Sequence, residues 1–483
     1  MNKVEAWIQE FEAYAQKLLG EAKVPGAAIG VARDGKMLYS KTFGYRDREQ
    51  ELPISMDTVF GIASLTKSFT CVAIMQLQEA GKLSVHDPVV KYLPQFRAGE
   101  AELSNRMTIH HFMTHTPGMA PLPYLDGAMK RSMEQDPAIV GTEAEEDLKG
   151  LPYLDTYEQV MEAIAGFEGK PLGAPGTAFS YNNDAYGLLG AVIEQVSGQP
   201  YEEYVTTHIL QPLGMHRTVF DVADLDEQED VTVLYTNKKV EGVEQVIAAP
   251  FWHDAPAMRA AGFLKSTVND LLAYLEVFRT GGENRKSPIL CKESVSQMLT
   301  PFARCDGYRS YGYGLMVSPA FPDGKLIEHG GSLKGISSHL FTIPETGLTG
   351  VILINLDGVA VRELVAGLLN AMALRPTAVP PYPVPHYELA DEQLAEYEGR
   401  YESSEWTKTL VEKREGALHL EVDGQSYPLI PVGPDSFLFK RRDSHVWIDF
   451  FRSPEGVLER MSYSLRQLNK QEKSENTSKI VTT

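Results

Sequence analysis

Phe60-Gly-Ile-Ala-Ser-Leu-Thr-Lys67 is the stretch on which the reading of this chain turns. Ser64 and Lys67 stand three apart, a spacing that puts two side chains on one face of a helix, with Cβ atoms about 5–6 Å apart. Phe69 to Leu77 follow, apolar almost all round, and Gly81 offers a C-cap. A helix that is apolar on every side is buried, so Lys67 is expected in a poorly hydrated site. Desolvation disfavours the ammonium form, which suits Lys67 to accept a proton from Ser64 or to shuttle one. A helix start near Ser64 would also bring a positive end to an oxyanion there. Ser-x-x-Lys occurs once in this chain, but a motif so short needs company.

Working outward, Tyr181-Asn-Asn183 places a phenol and an amide two residues apart, just ahead of a predicted helix. Leu188, Leu189, Val192, Ile193 and Val196 share a face of that helix, and Ser197-Gly198 ends it. A neighbouring ammonium favours ionisation of a phenol, so Tyr181 is a candidate general base and later acid. Tyr235-Thr-Asn237 has the same spacing, but it follows an acidic loop, precedes Lys238-Lys239 and has no apolar helix behind it. Tyr181 is therefore preferred. The third element is His329-Gly330-Gly331-Ser332. Two glycines let a substrate approach strand backbone closely. The amides of Ser332 and Ser64 would form a two-donor oxyanion hole, with His329 a polar or cationic contact on the pocket wall.

Turn signals divide the chain. Ala28 to Val31 and Met37 to Tyr39 flank Asp34-Gly35, a hairpin signal. Leu340 to Ile343 and Val351 to Ile354 flank Pro344-Glu-Thr-Gly347, and Arg362 to Leu374 reads as a helix. Strands at both ends of a helical middle predict one mixed α/β (α+β) domain over residues 1–375. Five prolines within Pro376-Thr-Ala-Val-Pro-Pro-Tyr-Pro-Val-Pro385 make an extended linker over 376–388. Short alternating runs then begin at Lys408, Ala417, Tyr427, Ser436, Val446 and Val457. They predict an antiparallel sandwich or small β-barrel over 389–466. Residues 467–483 are polar and are expected to be a disordered tail.

Ser-x-x-Lys, then Tyr-x-Asn, then His-x-Gly, in this order and at these long spacings, resembles the serine β-lactamase and penicillin-recognising family. The likeness is to the branch holding class C β-lactamases, DD-carboxypeptidases, D-amino-acid-specific peptidases and related esterases. Supporting matches are Val24-Pro-Gly26, His115-Thr-Pro-Gly118, Pro212-Leu-Gly-Met215, Ala261-Gly262 with Ser266 and Asp270, and Tyr311-Gly-Tyr-Gly314. The resemblance implies a mixed antiparallel sheet with a helical subdomain. It also implies that Ser64 is acylated, that Lys67 and Tyr181 share proton transfer, and that Asn183 holds Lys67 and a substrate amide. His329, Gly330, Gly331 and Ser332 would form the substrate-binding and oxyanion side. His329 stands where class C β-lactamases carry the lysine of Lys-Thr-Gly. Histidine is only partly charged near pH 7, so the departure points away from β-lactams and toward esters, D-amino-acid amides or D-Ala peptides. The strands of 389–466, opened by Tyr397-Glu-Gly-Arg-Tyr401, resemble the lipocalin-like β domain attached to some of these hydrolases. A class C-like β-lactamase or a non-catalytic penicillin-sensing protein is the alternative; intact Ser64, Lys67 and Tyr181 favour an enzyme.

Composition narrows the partners. The 483 residues hold 65 acidic and 45 basic side chains, a formal charge of −20. That excludes nucleic acid bound through a basic footprint and a polybasic membrane surface. The expected partner is a small ester, amide or short peptide. The first residues read as an amphipathic helix with Val4, Trp7, Ile8, Phe11 and Leu18 near one face, not as a secretion signal. No apolar run is long enough to span a bilayer. A cytoplasmic protein able to form homo-oligomers is the expectation. Cys71, Cys291 and Cys305 form no disulfide framework and read as buried thiols. His111 and His115 have the spacing of a helical metal pair, but the zincin pattern fails because Phe112 follows His111. No metal or cofactor is expected. The segment from Met119 to Tyr157, on which pocket shape depends, carries no readable pattern.

Overall fold

Gly26–Arg33 (β1) is buried along almost its whole length, so it needs cover on both faces. The computed structural model, which describes residues 3–282, 288–405, 407–442 and 444–472, shows what supplies it. Asp34 and Gly35 take left-handed φ values of 51° and 72°, the geometry of a two-residue hairpin loop. The chain returns as β2 (Lys36–Asp47) and β3 (Leu52–Pro53). The remaining strands come from far along the sequence: β4 (Ala303–Arg304), β5 (Ser310–Tyr311), β6 (Met316–Ser318), β7 (Leu326–Leu333), β8 (Ile336–Ile343) and β9 (Leu348–Ile354). Among the described residues these nine form one sheet in the order β3-β2-β1-β9-β8-β7-β6-β5-β4. The pairings are antiparallel. The fold is thus the mixed α/β architecture expected, with its sheet drawn from both ends of the domain.

Five helices matter most here: α1 (Lys3–Glu21), α2 (Thr66–Glu79), α3 (Asn183–Ser197), α4 (Val268–Arg279) and α5 (Val361–Met372). Tyr39, opposite Val31 in the β1–β2 register, packs its ring against Trp7 and Phe11 of α1 at 5.5 and 5.9 Å. The neighbouring Gly30 faces the other way, because side chains alternate along a strand. A Cβ there would lie 2.4 Å from Val268 of α4. The sheet is therefore sandwiched between α1 and α4, and α5 joins α1 at Gly367, whose hydrogen faces the Tyr14 ring. In α1, Trp7, Phe11 and Leu18 are buried as expected and Ile8 is half-buried; the side chain of Val4 lies outside the described ones. Among the described residues no helix is long and apolar enough to cross a membrane. Cys71 and Cys305 are buried, but Cys291 is exposed, because it caps the short helix Lys292–Met298 at the surface.

The chain divides into two compact units after Pro381. In the second, eight strands among the described residues close into an antiparallel barrel. They are Gly399–Glu402, Lys408–Arg414, Ala417–Val422, Gln425–Gly433, Ser436–Arg441, Ser444–Arg452, Leu458–Tyr463 and Arg466–Lys470. Alternation builds the interior: Leu418, Leu420 and Val422 point inward from one strand and meet Tyr401, Phe437, Phe439, Ile448, Phe450 and Met461. The first residues of the tail expected from 467 are instead a strand. Ser464 and Leu465 take left-handed φ values, forming a tight turn. Arg466–Lys470 then pairs with strands on both sides, burying Leu468 and closing the barrel. Residues 473–483 of the expected tail lie outside the described residues.

Candidate active site

Ser64 sits on a single 3-10 turn, Ala63–Leu65, that leads directly into α2. Ala63 has φ 45°, a left-handed conformation that costs a non-glycine residue on the order of 1 kcal/mol and needs support from its surroundings. That support is visible. Ser338 Oγ on β8 donates to the carbonyl of Ile62 at 2.8 Å, and Ile62 N donates to Leu264 O at 3.0 Å. Thr66 Oγ1 donates to Ala63 O at 2.7 Å and accepts from Leu264 N at 3.2 Å. Ala63 and Leu65 are thereby buried, while Ser64 between them stays partly exposed.

Lys67, one helical turn on, is wholly buried. Its Nζ lies 3.1 Å from Ser64 Oγ, 2.9 Å from Asn183 Oδ1 and 2.5 Å from Ala261 O. It also stands 4.8 Å from the centroid of the Tyr181 ring. Asn183 reaches Lys67 because it opens α3, whose N-cap, Asn182, accepts from Ala185 N at 2.8 Å. Tyr181 is 5% exposed and stacks on His115, ring centroids 4.1 Å apart. His115 Nδ1 accepts from Asn182 N at 2.9 Å, and its carbonyl accepts from Ser180 N at 3.0 Å. Thus His115 fixes the extended segment that carries Tyr181. Ser64, Lys67, Tyr181 and Asn183, spread over 120 positions of sequence, come together in one place.

His329 lies on β7 and is 1% exposed. Its Nδ1 is 2.6 Å from Gly330 O, and its Nε2 is 2.8 Å from Tyr311 Oη. A carbonyl only accepts, so Nδ1 carries the proton; Nε2 then accepts from the Tyr311 hydroxyl. Burial pushes the imidazole down to about 3. Burial also keeps the Tyr311 phenol protonated, well above its usual range. Of the polar or cationic contact expected at His329, the polar alternative is the one this geometry supports: the ring is neutral at pH 7 and both nitrogens are engaged. Tyr311 and His115 were legible only as parts of short motifs, with no signal for what they hold.

Past Glu328, β7 has left its pairing with β6 and keeps β8 on one side; its residues 329–333 run beside the Ser64 turn. A Cβ on Gly331 would lie 2.4 Å from both Ile62 O and Ser338 Oγ, and 3.1 Å from Ser64 N. A Cβ on Gly330 would lie 3.3 Å from His339 Nδ1. Glycine here admits the protein's own nucleophilic turn, where the sequence suggested room for substrate. Ser332, next along the strand, is exposed. Tyr235 is elsewhere engaged: its hydroxyl donates to Glu49 Oε2 at 2.6 Å and accepts from Arg48 N at 2.7 Å. Among the described residues no group of three or more His, Cys, Asp or Glu is placed to hold a metal ion. His111 instead caps its own short helix through Nδ1 and Thr108.

The match to known proteins runs over the same constellation. A family model described as Beta-lactamase matches residues 11–373. Protein flp of Staphylococcus aureus (strain MW2) is 26% identical over 362 residues, which cover 74% of this chain and 65% of that protein. The chain thus spans less than two thirds of that relative's length. Among solved structures, the octameric penicillin-binding protein homologue from Pyrococcus abyssi is 29% identical with a TM-score of 0.67, covering 96% of this chain and 100% of that one. EstCE1, described as a hydrolase with promiscuous acyltransferase activity, is 24% identical with a TM-score of 0.60, covering 76% of this chain and 99% of that one. That last likeness is one of fold. With Ser64, Lys67, Tyr181, Asn183 and His329 all inside the matched span, this chain belongs to the beta-lactamase family.

Proposed function

We propose that this protein is a serine acyl hydrolase working through an acyl-enzyme on Ser64, with esters its first substrates and D-amino-acid amides or D-Ala peptides its second. The observation that carries this reading is the 3.1 Å approach of a wholly buried Lys67 Nζ to Ser64 Oγ. Burial favours the neutral amine. In that form its N–H groups donate to Asn183 and Ala261, and the lone pair takes the Ser64 proton as Oγ attacks the acyl carbon. Tyr181, beside Lys67, passes a proton to the leaving oxygen or nitrogen as its bond to the acyl carbon breaks. Water then attacks the acyl-enzyme; its proton returns by the same route to Ser64 as the acid leaves. The amides of Ser64 and Ser332 hold the oxyanion.

Two further points support it. A neutral His329 offers no cation to a substrate carboxylate, which favours esters and amides over β-lactams and ranks D-Ala peptides, which carry such a carboxylate, below D-amino-acid amides. Lys67 Nζ meets Ser64 Oγ, Asn183 Oδ1 and Ala261 O at one buried point, an arrangement that suits proton transfer and that a purely binding protein does not need. The octameric state of the Pyrococcus homologue supports self-association of this chain too. The test is a side-by-side panel of p-nitrophenyl esters, D-amino-acid p-nitroanilides, D-Ala-D-Ala peptides and nitrocefin. Esters are expected to turn over fastest and nitrocefin weakly or not at all. Nitrocefin as the best substrate would replace this reading with a β-lactamase.

A further inference from the structure

Trp252 stands beside the nucleophilic turn. Its ring lies 3.1 Å from where a Cβ on Gly61 would sit. With Leu333 it forms the partly exposed edge of a cluster whose buried members are Ala63, Leu234 and Ile336. Ala63 directly precedes Ser64, and Leu333 directly follows Ser332, so this apolar patch borders both amides assigned to the oxyanion.

The loop that carries Trp252 is held from both sides. On one side, Lys334 Nζ donates to the carbonyl of Phe251 and, at 3.0 Å, to that of Ala249. On the other, His253 Nε2 lies 2.9 Å from Asp136 Oδ2. The same Oδ2 accepts from Lys334 Nζ at 2.6 Å, and Asp136 Oδ1 accepts from Ala138 N at 2.9 Å. Asp136 is 2% exposed. Burial pushes its carboxyl up, but the hydrogen bonds from His253 and Lys334 outweigh this and hold it down to about 2, so it is a carboxylate at neutral pH. A buried ion pair is costly to assemble and adds little stability by itself. This one joins three separate segments around a single loop, and the residue at the centre of that loop is Trp252.

We infer that Trp252 is a specificity-determining residue, an apolar wall for the acyl group of the substrate, and that Asp136 and Lys334 are its positioning residues. This rests on the serine-hydrolase reading above. The preferred substrate then carries an apolar, best an aromatic, acyl group and not a charged one.

The experiment keeps the leaving group constant. The ratio of kcat/KM for p-nitrophenyl phenylacetate to that for the acetate is measured on the full chain, alongside circular dichroism and Tm. Trp252→Ala is expected to lower the ratio about tenfold or more, since a single methylene in an apolar pocket already gives about tenfold discrimination. Trp252→Phe is expected to restore most of it. Asp136→Asn is expected to lower the ratio through KM and not kcat; if that variant does not fold, the two Trp252 variants still decide. A ratio within twofold of wild type in Trp252→Ala overturns the inference, and ester hydrolysis by wild type in the same plate leaves the enzyme reading standing. No ester hydrolysis by wild type and no labelling of Ser64 overturn both.

Discussion

Substituting His329 by glutamine, which can still accept from Tyr311, tests the neutral imidazole through the stability of the protein. In the unfolded chain a histidine titrates near 6.5, whereas in the folded protein His329 is held at about 3. Between these values the unfolded state binds a proton that the folded state refuses, so stability falls as pH falls. The contribution is fully present above pH 6.5 and is lost progressively down to about pH 3. Going from pH 7 to pH 5 should cost wild type about 2 kcal/mol from this group alone, at about 1.4 kcal/mol per unit once the unfolded imidazole is protonated. Urea unfolding of wild type and His329→Gln at pH 7, 6 and 5, followed by helical ellipticity, reads it. That signal reports the first unit, since the second is nearly all strand. All other groups are common to both proteins, so the difference between them should shift by about 2 kcal/mol against wild type. A difference constant across that range would mean that His329 titrates normally and that its bonds to Tyr311 and Gly330 are misassigned.

Other outcomes follow from the same geometry. Lys67→Ala and Tyr181→Phe should each lower kcat on the best ester by on the order of 10²–10⁴, because both lie in the proton path, while Tyr235→Phe, whose hydroxyl serves Glu49 and Arg48, should stay within about twofold. Near-normal rates for the first two would remove them from the mechanism. Gly331→Ala drives a methyl to within 2.4 Å of Ile62 O and Ser338 Oγ. It should cost about 1–3 kcal/mol in urea unfolding and slow acylation of Ser64; an unperturbed variant would show that β7 does not seat the turn.

What the sequence could show is set by the range of the forces involved. Asp34-Gly35 announces its hairpin because the left-handed backbone is a local demand, met by the residues that carry it. Ser64 and Lys67 are legible for the same reason: one helical turn joins them. The barrel's last strand was missed because Arg466–Lys470 is polar in pattern apart from Leu468, and its pairing with Leu458–Tyr463 and with the distant Gly399–Glu402 is what reveals it. His329 could be read only as a polar or cationic wall contact, because its partner Tyr311 and the burial that neutralises it arise from tertiary packing. Asp136, His253 and Lys334 lie in three distant segments with no motif between them. Their ion pair is a property of the folded chain, and so is the position of Trp252.

The central claim is that Ser64 is the acylated nucleophile, activated by Lys67. Intact mass after incubation with a fluorophosphonate measures it most directly, with wild type and Ser64→Ala compared and the modified peptide located by digestion. One adduct per wild-type chain, on the peptide holding Ser64, and none on Ser64→Ala is the result expected. Equal labelling of the two proteins, or an adduct at any other residue, would contradict the account.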